Sequence, residues 1–214
     1  MEYIFKEDTK IIRKSYISGN KEIEKIILPE KVPLTIASRA FENCVNLKEI
    51  TLSENINFIG NKVFFNCINL ERVNFKANVK EISDSMFYNC ISLKKIIIPE
   101  GIEKINKCAF FKCTNLEEVI LPNSLKEIED GAFMNCPSLK EIMLPKNVKI
   151  SAIVFDCSLK KIYVTAETFD NLSDLVKSIH KGSFKNYPTL DELLESGKSF
   201  REISNIYKIN ETIR

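Results

Sequence analysis

Apolar residues recur along most of this chain at a fixed interval that is neither helical nor strand-like over its whole length. Phe41, Phe64, Phe87, Phe110 and Phe133 are each separated by 23 residues. The same interval separates Cys44, Cys67, Cys90, Cys113 and Cys136, and Leu47, Leu70, Leu93, Leu116 and Leu139. Ile36, Ile59, Ile82, Ile105 and Ile128 complete the unit, which reads I-x-x-x-A-F-x-N-C-x-x-L-x-x-I-x-L-P. A period of this length marks a stack of supersecondary units, each unable to bury its apolar face alone. Degenerate copies flank the five regular ones, "EIEKIILPEKV" before them and "ISAIVFDCSLKKIYV" after them, as expected where end copies meet water.

Within one copy the local periods differ. "LKKIIIP" alternates as a strand: Leu93, Ile96 and Ile98 point inward, while Lys95 and Ile97 point outward. Pro99 cannot donate to a ladder and closes the strand. Placing copies side by side yields three outward ladders. The first is Lys48, Glu71, Lys94, Glu117, Lys140, Lys160, whose sign alternates over its first five members. The second is Glu49, Arg72, Lys95, Glu118, Glu141, Lys161. The third is Thr51, Asn74, Ile97, Ile120, Met143, Tyr163, and it turns from polar to apolar toward the later copies. Opposite charges on neighbouring strands attract by about 0.2–1 kcal/mol per pair.

The AFxNCxxLxxIxLP unit resembles the BspA-like branch of the leucine-rich repeat family over roughly residues 20 to 165. The resemblance implies an α/β fold: a right-handed solenoid with a parallel sheet on its concave side and short helical turns, from IxxxAFxNC, on its convex side. It also implies protein binding, often at cell surfaces. The expected organisation is an N-terminal cap with a degenerate first repeat (1–35), the solenoid (36–164) and a C-terminal helical segment (165–214).

That last segment loses the period. Phe169, Leu172, Leu175, Val176 and Ile179 fall at helical spacing before Gly182, which predicts a helix capping the last repeat. Thr189 with Glu192, and Ser199 with Glu202, read as capping boxes of two further short helices. The run "ELLESGKSFREISNIYKINETIR" resembles a helix-turn-helix of the recombinase or repressor kind. Its recognition helix would begin at "ETIR", and a reader of the major groove needs two or more turns. Lys198, Arg201, Lys208 and Arg214 are countered there by Asp191, Glu192, Glu195, Glu202 and Glu211, so DNA binding is the alternative expectation and a helical cap or oligomerisation element the main one.

Composition narrows the choice of function. The 214 residues carry 31 basic and 29 acidic side chains, a net charge of +2, which gives no overall pull toward nucleic acid or acidic membranes. No apolar run approaches the ~18 residues of a membrane span, and the start, "MEYIFKEDTK", lacks a secretory signal pattern. With seven cysteines, an odd count, this predicts free thiols and a cytoplasmic location, with a surface role open if a signal was trimmed.

One cysteine per repeat is not the paired spacing of a thiolate metal site, and the single histidine, His180, lies outside the repeats. The expectation is therefore cysteines that pack, with no metal and no cofactor. No P-loop or G-x-G-x-x-G is present, and no nucleophile–base pair is evident, so the chain is read as non-enzymatic. The asparagine of FxNC (Asn43, Asn66, Asn89, Asn135) is assigned to a left-handed turn. Phe65, Tyr88, Phe111 and Met134 form a second apolar row on the convex side, either packed along the turns or partly exposed to a partner.

The functional expectation is a protein-interaction module. Its partner site would comprise Ile97, Ile120, Met143 and Tyr163 with Lys95, Glu118 and Glu141. Homodimerisation through the same face, or binding of a partner on the convex face, remains open.

Overall fold

A computed structural model describes residues 1–146, 148–151, 153–155, 159, 161–164 and 209–211. Two columns of short parallel strands run along it. The front column holds β1 (Glu2–Ile4), β3 (Lys25–Ile27), β5 (Glu49–Leu52), β7 (Arg72–Phe75), β9 (Lys95–Ile97), β11 (Glu118–Ile120), β13 (Glu141–Met143), β15 (Lys161–Val164) and β16 (Ile209–Glu211). The flank column holds β2 (Ile11–Ile12), β4 (Leu34–Ile36), β6 (Ile56–Ile59), β8 (Glu81–Ile82), β10 (Lys104–Ile105), β12 (Glu127–Ile128) and β14 (Lys149–Ile150). Front pairing joins β1-β3-β5-β7, β9-β11 and β13-β15-β16, and flank pairing joins β2-β4-β6 and β8-β10-β12-β14.

The registers carry the 23-residue period directly. Lys95 lies opposite Glu118, Ile96 opposite Val119 and Ile97 opposite Ile120. Ile82, Ile105 and Ile128 are successive partners on the flank. Equivalent side chains therefore stack on one another, at the ~4.8 Å separation of neighbouring strands. The inward phenylalanines form a column of rings with centroids 5.5, 5.4, 5.3 and 5.2 Å apart from Phe41 to Phe133, nearly parallel from Phe64 onward. Each is fully buried, which is worth about 1.5–3 kcal/mol per ring, and the offset contacts add about 0.5–1.5 kcal/mol.

The convex segments are not helical turns, and no helix occurs among the described residues. A helix would satisfy its N–H groups locally. Here alternate N–H groups reach across to the next repeat: Lys62 N to the Asp84 carbonyl at 3.0 Å, Phe64 N to Met86 at 2.9 Å, Asn66 N to Tyr88 at 2.7 Å. The intervening groups close tight turns, Phe65 N to the Lys62 carbonyl and Cys67 N to Phe64, each at 3.2 Å. This alternation needs two left-handed residues per copy, four apart: Arg39 and Asn43, Lys62 and Asn66, Ser85 and Asn89, Cys108 and Lys112, Gly131 and Asn135. Cys108, out of step with the other thiols, occupies one of these left-handed positions. Asparagine tolerates the conformation well, and its side chain adds a ladder, with Asn66 Nδ2 donating to Asn43 Oδ1 at 2.8 Å and Asn89 Nδ2 to Asn66 Oδ1 at 2.6 Å.

The capping helix expected around Phe169–Ile179 and the two short helices before residue 208 lie outside the described residues. Ile209–Glu211, where the helix-turn-helix resemblance places the approach to a recognition helix, instead forms β16. It runs parallel to β15, with Ile209 opposite Ile162 and Glu211 opposite Val164. An exposed strand edge favours such pairing because its N–H and C=O groups lack partners.

Lys112 breaks the asparagine ladder. Replacing it, Lys112→Asn should relieve left-handed strain and extend the side-chain ladder, at the cost of a weak cation–π contact to Phe111 5.9 Å away. The expected gain is about 0.5–1 kcal/mol, a rise of roughly 1–4 °C in the thermal midpoint by calorimetry. An unchanged or lower midpoint would show that side-chain packing, not backbone strain, governs this position.

Candidate functional site

The front sheet alternates as its sequence predicts. Leu93, Ile96 and Ile98 are buried, while Lys95 and Ile97 face solvent. Ile97, Ile120 and Met143 are exposed by 52%, 42% and 43%, although each lies in the middle or at the end of a strand whose inward neighbours are fully covered. Ile97 and Ile120 are register partners, and β13 lies beside β11. Tyr163 follows Met143 in register, so its backbone continues the row. These four positions thus form one line along the last strands. Upstream the row is polar at Thr51 and Asn74, on β5 and β7, and apolar again at Ile27 and at the exposed Ile4 on β3 and β1.

Charged ladders border the line. Lys95 Nζ donates to Glu118 at 2.9 Å, and Arg72 Nη2 to Glu49 at 2.8 Å. The Arg72 guanidinium, through its hydrogen bond, holds the Glu49 carboxyl below the usual carboxylate range. Glu141 lies opposite Lys161 in the same ladder. The second ladder thus carries the pairing, and the sign alternation of the first contributes at its start, where Lys48 pairs with Glu24 at 2.9 Å. These pairs are solvated, so they fix orientation more than they stabilise.

Two features of the surface escape the repeat pattern. The front ladder is interrupted between β7 and β9 and between β11 and β13, and a cleft of about 810 Å³ lies at the first break. Proline at the strand end does not account for the break, since Pro122 holds the place of Pro99 in the next copy, where β9 and β11 pair. The flank sheet, in turn, changes from mostly apolar to charged along its outward row. That row runs Ile11, Thr35, Phe58 and then Glu81, Lys104, Glu127, Lys149. Lys104 there bridges Glu129 at 2.7 Å and Glu127 at 3.1 Å, and hydrogen bonds to both push its ammonium up to about 12.

The thiols act structurally. Cys67, Cys90, Cys113 and Cys136 each donate to the carbonyl of the phenylalanine one repeat earlier, all at 3.2 Å, and Cys44 donates to Ile17 at 3.3 Å. The bond requires a protonated thiol. Burial pushes Cys44 up to about 11 and Cys67, Cys90 and Cys113 well above the ordinary value of 9.0. Thiolate is the nucleophile and metal ligand, so this environment suppresses both chemistries. The second row on the back, Phe65, Tyr88 and Phe111, stacks at 4.6 and 4.9 Å along the turns and is half-buried. The rings thus pack against one another along the turns and remain partly exposed.

A stack of parallel strands with a buried apolar interior and outward rows of side chains defines a repeat protein with an extended sheet surface. Residues 2–92, 34–161 and 80–208 match the BspA type leucine rich repeat region, in six copies, and the chain belongs to that family. No match was found among curated proteins. Among solved structures the chain is similar to a leucine-rich repeat protein from Eubacterium ventriosum, with 30% identity and a TM-score of 0.66 over 70% of this chain and 41% of that one. A leucine-rich repeat protein from Bacteroides ovatus shares the fold at 24% identity, TM-score 0.63, over 77% of this chain and 49% of that one. A leucine rich repeat protein from T. pallidum matches at 25% identity and TM-score 0.56, over 94% of this chain and 89% of that one. The chain thus spans less than half the length of the first two.

The thiols make stability depend on pH in a defined direction. Their native pKa values lie above the unfolded value, so their contribution is complete below about pH 9 and is lost progressively as pH rises from there through the native values. Urea midpoints should be flat between about pH 7 and 8.5 and fall steeply between about 9 and 11. The Cys67→Ser/Cys90→Ser double variant should show a shallower alkaline slope. An identical slope would mean that these thiols are not held protonated by the fold.

Proposed function

We propose that this protein binds another protein through the front sheet, with Ile97, Ile120, Met143 and Tyr163 as the apolar centre and Lys95, Glu118 and Glu141 as the charged border. The observation that carries the reading is the run of large aliphatic side chains left in water on successive strands. Apolar groups grouped in this way on a folded surface mark contact sites. A centre of apolar residues inside a charged rim is the usual anatomy of an interface, in which the centre supplies affinity and the rim orientation. The leucine-rich repeat architecture supports the reading, since a rigid curved sheet offers area without requiring ordering on binding. A non-enzymatic role accords with this architecture. A second copy of the chain is the competing occupant of the same surface.

The test is Ile120→Asp. Because Ile120 is solvent-facing, the variant should keep its thermal midpoint within about 2 °C of the parent. It should lose at least tenfold in capture of a binding protein from lysate of the source cells, as expected for a central contact. Undiminished capture would remove the front row from the interface. Light scattering separates the occupants: a mass near 24.6 kDa at high concentration excludes self-association through this face.

A further inference from the structure

The front pairing breaks between β7 and β9, and a cleft lies at this junction. A second break lies between β11 and β13. At the first junction the cleft of about 810 Å³ exposes both the row and part of the layer beneath it. Its apolar lining comes from Val73, Phe75, Ile97 and Pro99. Its charged lining is unequal, with Arg72, Lys94 and Lys95 against Glu71 alone. Arg72 is shared between Glu49 and Glu71, and Lys95 is committed to Glu118. Lys94 has no ion-pair partner among the described residues. An uncommitted cation thus stands beside an apolar hollow, at the upstream end of the exposed aliphatic row.

Resting on the front-face reading above, we infer that the segment docked here is an acidic peptide stretch of the partner protein, with a carboxylate on Lys94 and an aliphatic or aromatic side chain in the hollow against Ile97. Charge complementarity selects the class. A basic segment would face three cations, whereas an acidic one meets Lys94 directly and draws on the outer donors of Arg72 and Lys95. The apolar row leading away through Ile120 and Met143 gives alternate residues of such a segment further places to bury. The residues between them face solvent and can carry the acidic groups.

Fluorescence anisotropy with two labelled hexapeptides tests this: one alternates Leu and Asp, the other Leu and Lys. At low salt the Leu–Asp peptide should bind at least about tenfold tighter than its Leu–Lys counterpart and weaken as salt rises. Lys94→Glu should reduce that binding at least about tenfold, whereas Lys140→Glu, two repeats along the same row and outside the cleft, should leave it unchanged. Equal affinity for the two peptides overturns the proposal, as does binding indifferent to Lys94→Glu or the absence of binding by either peptide. Loss of the Leu–Asp peptide with Ile120→Asp but not with Lys94→Glu would keep the front face as the interface and remove the cleft from it. Lysate capture that depends on Ile120 while neither peptide binds would do the same.

Discussion

Everything in this molecule depends on the satisfaction of each repeat's backbone by its neighbours. No copy can close its own hydrogen bonds: front strands, flank strands and back turns all send N–H groups to the copy before or after. Once three sides of the unit are bonded in that way, equivalent residues must superpose. The 23-residue interval is the sequence image of this constraint. It also explains why the same residue types recur so strictly inside. A phenylalanine stacks best on a phenylalanine at the same depth, and a cysteine at the corner reaches the carbonyl of the preceding ring because that carbonyl is always in the same place.

The back turns show how the constraint chooses conformation over local propensity. A segment such as "AFFKC" has enough apolar and helix-compatible residues to form a helical turn. Bonding to the next repeat requires instead that alternate N–H groups face sideways, and that two residues per copy enter the left-handed region. Asparagine at the second position eases this and contributes a ladder of its own amides. The first position tolerates arginine, lysine, serine, cysteine or glycine. Gly60 marks another limit, since a Cβ there would lie 2.5 Å from the Ser38 nitrogen. At that point the repeats approach too closely for any side chain.

Inside the solenoid the chain is nearly invariant, so what differs between copies is confined to the outward positions. The front row is apolar at Ile4 and Ile27, polar at Thr51 and Asn74 and apolar again from Ile97, whereas the flank row is apolar early and charged later. Stacking neither requires nor prevents that arrangement. The exposed isoleucines contribute little to the stack, and a polar residue would serve stability at least as well. Their presence on consecutive strands is therefore an observation about surfaces, and it carries the functional reading.

The architecture and the direction of each front side chain were legible in the sequence, because alternation within a strand and recurrence between strands are both linear patterns. Ile97 could be placed outward from "LKKIIIP" alone. The protonated, inert state of the thiols was legible in outline, from one cysteine per repeat without a metal-site spacing. The cleft was not legible. It lies at a gap in the ladder between two strands that look like their neighbours, and Pro99 does not mark it, since Pro122 holds the same place where β9 and β11 pair. The back turns were misread because helix and β-turn share short-range patterns, and only the position of the adjacent repeat decides which way an N–H can be satisfied. Sequence by itself determined what stacks and which residues face out. Tertiary structure decided where the stack opens and how its turns are bonded, because both depend on the spacing between copies, which no single copy contains.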